Sequence, residues 1–353
     1  MKKITNLLLM SSLSIICSLA QNQTYGIENT VEHTVKIKNP VLAQKDDKLF
    51  SFVNSVSNGF YYKYIDYRGN NQKWQQWEYQ FFLYNEKNAT FKSEFIGFIS
   101  DGKYLSSFNI QENKFFYSED YFTSPEDTGY RLLYLFYLND KHYLDSVYST
   151  DKKVFSSFSK DNKILLVNNF YELPDFYNLI KDNYTYIYYL DDIQSGIKKD
   201  SIYCKHCSNS TLIDDKLFYT ISNEKDEWDN YTWKEIYVAP WGNISDTTRI
   251  ASRTRLLAVS SDGKYILGKR YDLFNGVCVI IDVETKKYQI LIGRDYQSVK
   301  SFYSEVEKKF GFDFDDEIIY VDYPKTYPFD ALLKDNPLVP ITKSREIRKI
   351  FEK

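Results

Sequence analysis

Short apolar runs separated by small polar residues dominate the chain, and the pattern is sharpest between Leu256 and Gly293. Leu256-Leu257-Ala258-Val259 is apolar, and Ser260-Ser261-Asp262-Gly263-Lys264 then supplies the small residues, tolerant of left-handed backbone, that a tight hairpin needs. Tyr265-Ile266-Leu267-Gly268 makes a second strand. After the polar stretch from Arg270 to Gly276, the β-branched run Val277 to Val283 makes a third, suited to burial. Glu284-Thr285-Lys286-Lys287 turns the chain again, and Tyr288 to Ile292 closes the group. Four antiparallel strands in about 40 residues have the size and content of one propeller blade.

The turn recurs at intervals of roughly 50–60 residues. Its copies are Asp46-Asp47-Lys48-Leu49-Phe50, Asp101-Gly102-Lys103-Tyr104-Leu105, Asp161-Asn162-Lys163-Ile164-Leu165, Asp214-Asp215-Lys216-Leu217-Phe218, Asp262-Gly263-Lys264-Tyr265-Ile266 and Asp315-Asp316-Glu317-Ile318-Ile319. Each is followed by an apolar run and most are preceded by one. The pattern predicts an all-β chain, a β-propeller of about six four-stranded blades. An irregular β sandwich or two smaller β domains are the competing arrangements.

The strands Phe60 to Ile65 and Trp77 to Phe82 fall to the first blade, and Phe95 to Ile99 and Leu132 to Tyr137 to the second. Three long polar stretches, residues 118–129, 168–183 and 222–232, interrupt the second, third and fourth blades between their second and third strands, which puts all three on one side of the ring. The last copy is short of strands, whereas His33 to Lys38 alternates ahead of the first copy, so this N-terminal strand is expected to close the ring. Val299, Phe302, Val306 and Phe310 stand at helical spacing and predict one short amphipathic helix outside the ring.

Residues 1–20 read as a secretory signal peptide, with Lys2 and Lys3, the apolar run Leu7 to Leu19, and Ser18-Leu19-Ala20 before Gln21. That run is too short to span a bilayer. Export to a periplasmic or secreted location follows, with lipid anchoring at Cys17 as the alternative, although Ile16 is bulky where such sites want a small residue. The expected boundaries are a flexible lead-in at 21–32, the propeller domain at 33–330 and a C-terminal tail at 331–353. No later stretch reaches spanning length. Tyr 33, Phe 25 and Trp 5 make aromatics 18% of the chain, which suits strands packed between blades. Lys+Arg 45 against Asp+Glu 48 leaves a net charge of −3 without a long basic run, so nucleic acid is not an expected partner.

The blade motif Ser260-Ser261-Asp262-Gly263-Lys264-Tyr265-Ile266, with Ile281-Asp282-Val283 and Thr285-Lys286-Lys287 after it, resembles the repeat of the TolB-like and WD40-like β-propellers. In that family a Ser-Pro-Asp-Gly-Lys turn joins the first two strands and an Ile-Asp-Leu or similar ends the third. Ser261 stands in place of the proline, Ser100 to Tyr104 matches in part, and the Trp-Asp dipeptide of true WD40 repeats is absent. The α/β domain that precedes the propeller in TolB has no room in this chain, so the resemblance implies the fold and not TolB's particular function.

Candidate chemistry is sparse. Cys204-Lys205-His206-Cys207 has redox or metal-like spacing, readable as a disulfide, as half of a zinc site or as thiols at a strand end. A complete zinc site needs two more ligands, with only His33, His142 and Cys278 left in the mature chain; no metal or other cofactor is expected. The acidic loop Glu224, Asp226, Glu227, Trp228 and Asp229, followed by Trp233, could stack a sugar or grip a cation, or could be a solvated loop whose tryptophans cover a blade edge. Trp74 and Trp77, among glutamines, carry the same two readings. Asp313 to Glu317 lacks the frame of a calcium loop. There is no Gly-rich phosphate loop and no Gly-x-Ser-x-Gly elbow. The expectation is a monomeric binding module for an envelope protein or glycan, the alternative being a glycan lyase or hydrolase that uses channel carboxylates and tyrosines.

Overall fold

A computed structural model of the chain describes residues 32–36, 50–68, 76–101, 105–121, 129–138, 140–149, 154–168, 184–191, 193–203, 207–222, 234–270, 277–291, 296, 299–314 and 317–321. Strand β1 is Glu32–Lys36. The first blade is β2 (Phe50–Val56), β3 (Gly59–Arg68), β4 (Gln76–Asn85) and β5 (Thr90–Asp101). The second is β6 (Leu105–Gln111), β7 (Lys114–Tyr121), β8 (Gly129–Tyr137) and β9 (Asp140–Ser149), and the third is β10 (Phe155–Phe158), β11 (Ile164–Asn168), β12 (Tyr184–Tyr189) and β13 (Lys198–Tyr203). The fourth is β14 (Cys207–Ile213), β15 (Lys216–Ser222), β16 (Lys234–Pro240) and β17 (Thr248–Ala251). The fifth is β18 (Thr254–Val259), β19 (Tyr265–Arg270), β20 (Val277–Asp282) and β21 (Tyr288–Ile290), and the sixth begins with β22 (Lys300–Ser304), β23 (Lys309–Phe314) and β24 (Glu317–Val321).

Each blade is a four-stranded antiparallel sheet, and the sixth is completed by the N-terminal strand in the order β1-β24-β23-β22. Glu32 pairs with Val321 and Lys36 with Glu317, so the closure expected from the sequence is the one observed. The first strand of every blade packs beside the first strand of the next, and β22 returns to β2, making a closed six-membered ring around a channel.

Six hydrophobic clusters fill the six junctions between blades. The junction of the fourth and fifth blades is mostly aliphatic, with Ile236, Ile250, Leu256, Ile266 and Val279 among its buried residues. Closure of the ring between the sixth blade and the first is aromatic instead: Phe52, Phe60, Tyr62, Tyr84, Phe302 and Tyr320 surround Ile318. Phe302 stacks on Phe52 with ring centroids 5.0 Å apart and lies 4.5 Å from Phe60. It can do so because Gly311, its cross-strand neighbour, has no side chain; a Cβ there would stand 2.4 Å from the Phe302 ring.

The turn motif folds the same way in two blades. Ser260 Oγ donates to Asp262 Oδ1 (2.6 Å) and accepts the Tyr265 N–H (2.9 Å), while Asp262 Oδ1 accepts the Lys264 N–H (3.1 Å). Ser159, Asp161, Lys163 and Ile164 repeat every one of these bonds. Gly263 (φ 67°) and Asn162 (φ 60°) occupy the left-handed position that the turn requires. Burial alone would raise the Asp161 and Asp262 carboxyls, but the serine hydroxyl, the backbone amides and the adjacent lysine outweigh it and hold both below the usual carboxylate value.

Several sequence assignments need correction. The turns at Asp161, Asp214 and Asp262 do join first and second strands, but Asp101 ends β5 and the Asp315-Asp316 pair joins the second and third strands of the last blade. The Asp46 to Lys48 turn lies outside the described residues. The true first hairpins of the two leading blades are two-residue loops, with Val56 paired to Gly59 and Gln111 to Lys114. Phe95 to Ile99 therefore belongs to β5 of the first blade, not to the second.

The outer helix over Ser298 to Phe310 is also overturned: Lys300–Ser304 and Lys309–Phe314 form a hairpin. The Ser304 hydroxyl accepts the Glu307 N–H at 3.0 Å, a local bond that a helix N-cap would also make, and Lys308 (φ 55°) then reverses the chain.

Candidate functional site at the loop-bearing end of the channel

Antiparallel order fixes which connections share an end of the ring. Connections 122–128, 169–183 and 223–233 join second to third strands, so they leave the same end as the links that feed each first strand, including 102–104 and 252–253. Connection 69–75 of the first blade leaves that end too. The hairpins between first and second strands, the outer hairpins such as 86–89, and the start of β1 all lie at the opposite end.

Of the sequence-predicted site residues, Trp74, Glu224, Asp226, Glu227, Trp228, Asp229 and Trp233 lie outside the described residues. Trp77 is in β4, paired with Tyr67 and Ser100, one residue from the loop-bearing start of that strand. The two tryptophan-bearing connections belong to the first and fourth blades, which stand opposite each other across the channel. Cys204 is outside the described residues, Cys207 opens β14, and Cys278 is buried in β20. Among the described residues no group of three or more His, Cys, Asp or Glu side chains could hold a metal ion, and no helix is long and apolar enough to cross a membrane.

The channel wall has a definite chemical character. Not one of the six first strands carries an aspartate or glutamate, and their only charged residues are Arg255 and Lys300. Four junctions along this wall are stitched by side chains reaching the backbone of the next first strand. Asn54 Nδ2 donates to the Ile110 carbonyl (2.8 Å) and Asn54 Oδ1 accepts the Ile110 N–H (3.0 Å). Asn109 donates to Ser156, Ser157 to Ser210 and Asn209 to Leu256, each at 2.8 Å to a carbonyl oxygen. Each first strand is the inner edge of its sheet, so these bonds satisfy backbone groups that no further strand pairs.

At the loop-bearing mouth, Arg255 of the fifth blade reaches past the fourth to the third. Its guanidinium carbon lies 5.2 Å from the centroid of the Phe155 ring, and Nη2 donates to Asn209 Oδ1 at 3.4 Å. Arg255 Nε is buried without a hydrogen-bond partner. At the far end Lys160 makes the same crossing, donating to the Ser261 carbonyl at 3.2 Å with Asp214 3.7 Å away. The sequence reading missed Arg255, Asn209 and Phe155. A signal existed: Asn54, Asn109 and Asn209 each precede the first hairpin of their blade, but the coincidence shows only once those hairpins are correctly placed.

A separate polar cluster sits at the opposite end, where the sixth blade meets the first. Glu86 Oε1 accepts bonds from Tyr320 (2.5 Å) and Ser304 (2.7 Å); the same junction is bonded again nearer the loop-bearing end, where Tyr62 donates to Asp313 at 3.3 Å. Burial pushes the Glu86 carboxyl above its ordinary value; the Tyr320 and Ser304 bonds oppose that and Glu307 adds to it. Burial and the Glu86 charge keep Tyr320 protonated far into alkaline solution. This cluster joins the first and last blades and is remote from the channel mouth.

Solved structures of similar architecture include several β-propellers. No protein-family model matches it, and no curated protein matches it in sequence. Its architecture is similar to TolB from Acinetobacter baumannii (TM-score 0.45, 13% identity, covering 80% of this chain and 84% of TolB). It is also similar to the β-propeller domain of the Trilobed protease from Pyrococcus furiosus, a propeller of open velcro topology (TM-score 0.47, 11% identity, 75% of this chain and 78% of that one). Oligogalacturonate lyase from Vibrio parahaemolyticus shows a more distant likeness (TM-score 0.37, 10% identity, 85% and 100%). Likeness at this level extends to overall architecture alone.

Proposed function

We propose that the chain is an exported binding module that engages an envelope protein or glycan through the loop-bearing end of the ring. The observation that carries this reading is the shared end of connections 122–128, 169–183 and 223–233, each joining a second to a third strand. A rigid ring that gathers its longest connections at one end is built to present them to a partner. The alternative, a glycan lyase or hydrolase working through channel carboxylates, is weakened by first strands that supply none.

Crosslinking of the mature protein in its native envelope, followed by mass spectrometry, tests the proposal. One partner captured through the three connections is expected. Equal capture by a variant with all three shortened would refute it.

A further inference from the structure

A cationic side chain on the wall of a channel normally has an acid within reach, because a partly desolvated charge is costly unless it is paired. Arg255 has none among the described residues. Its contacts are the Phe155 ring and a long bond to Asn209, and its Nε is buried without a partner. The first strands of the third and fourth blades carry no charged side chain, and that of the sixth carries only Lys300, a cation.

Asn209 is itself held firmly, in the left-handed region (φ 49°) and donating to the Leu256 carbonyl at 2.8 Å. The guanidinium is thus positioned before any ligand arrives, its carbon set over the Phe155 ring and one nitrogen bonded to Asn209. A fixed fork of this kind is the group that pairs best with a planar anion.

We propose that the loop-bearing mouth of the channel is a subsite for a small carboxylate ligand, with Arg255 as its cation, Phe155 as its platform and Asn209 as the residue that orients the guanidinium. Phe155 beside the guanidinium favours an organic anion, which can cover the ring, over inorganic phosphate or sulfate, which cannot. An aryl or extended acid paired with the guanidinium can also cover the Phe155 ring beside it, so it binds more tightly than acetate. This subsite requires no partner on the long connections and stands apart from the binding reading above.

The test uses the whole mature protein, labelled with 15N at arginine, and follows the Arg255 Nε–H resonance, assigned by its loss in Arg255→Lys. Acetate and benzoate are titrated against chloride, phosphate and sulfate at equal ionic strength. A saturable shift with benzoate, weaker with acetate and not reproduced by the inorganic anions, is expected. In calorimetry Arg255→Met, which keeps an unbranched apolar stem over Phe155, should weaken benzoate binding at least about tenfold, and Phe155→Leu should weaken it less.

The proposal is overturned if the Arg255 resonance does not shift saturably, if the inorganic anions move it as far as benzoate does, or if Arg255→Met binds benzoate as the parent does. The resonance experiment needs only the parent protein, so a poorly folding variant does not blunt it.

Discussion

Gly311 and Phe302 together decide how tightly the last blade seats on the first, and a double-mutant cycle on this pair measures it. An alanine at 311 would place its Cβ 2.4 Å from two atoms of the Phe302 ring, well inside any real contact distance. The ring cannot swing clear, because Phe52 and Phe60 hold it from the first blade at centroid distances of 5.0 and 4.5 Å. Overpacking of this kind costs about 1–3 kcal/mol. Phe302→Ala removes a nearly fully buried ring (4% exposed) and should cost about 3–5 kcal/mol through lost burial and the cavity left behind. In the double variant the clash has no object, and the new methyl partly fills the space, so the combined loss should fall below the sum by about 1–3 kcal/mol. Urea unfolding followed by tryptophan fluorescence gives each corner of the cycle, provided the slopes agree. A Gly311→Ala protein as stable as the parent, or a cycle that closes additively, would refute the reasoning.

Two further outcomes follow from the same junction. Because burial raises the Glu86 carboxyl, the stability it contributes is present below the ordinary value of 4.5 and is lost as pH rises through the folded value. The stability of the parent relative to Glu86→Gln should therefore fall as pH is raised from 4.5 towards neutrality, measured by urea midpoints at each pH; a difference that does not change with pH would exclude this role for Glu86. Deleting the chain through Lys36 exposes the edge of β24, so the truncated protein should lose stability and regain it when a synthetic peptide containing Glu32 to Lys36 is added. Absence of rescue at saturating peptide would show that β1 does not close the ring independently of its covalent connection.

The repeat was legible in sequence because its most demanding feature is local. A turn such as Ser260 to Tyr265 satisfies its own backbone through two side chains and one left-handed residue, so its composition is constrained wherever it occurs. Where the first hairpin is only two residues long, as at Ser57-Asn58, a different turn with its own demands closes it, and the Asp-Gly-Lys signature stands instead at the end of β5, between two blades. The period survived this error because link and hairpin both recur once per blade. The helix expected from Val299 to Phe310 failed for a related reason: a hairpin with a four-residue turn spaces its apolar residues much as a helix does, and pairing between Lys300–Ser304 and Lys309–Phe314 is not encoded in either segment alone.

The channel mouth was illegible for the opposite reason, since nothing local marks it. Arg255, Asn209 and Phe155 sit on three blades, and each is unremarkable in its own strand. Closure of the ring is what sets a guanidinium across the axial edge of the fourth blade and over the Phe155 ring. The same closure explains why the wall around it can be so poor in acid: first strands are bonded to one another through Asn54, Asn109, Ser157 and Asn209, neutral side chains whose donors meet carbonyl oxygens. A carboxylate at any of these positions would have no proton to offer those carbonyls at neutral pH and would leave a backbone acceptor unsatisfied. The stitching therefore selects against acids along the wall, and Arg255 at its mouth, with Lys300 the other cation of the first strands, acquires a positive field that no first strand cancels.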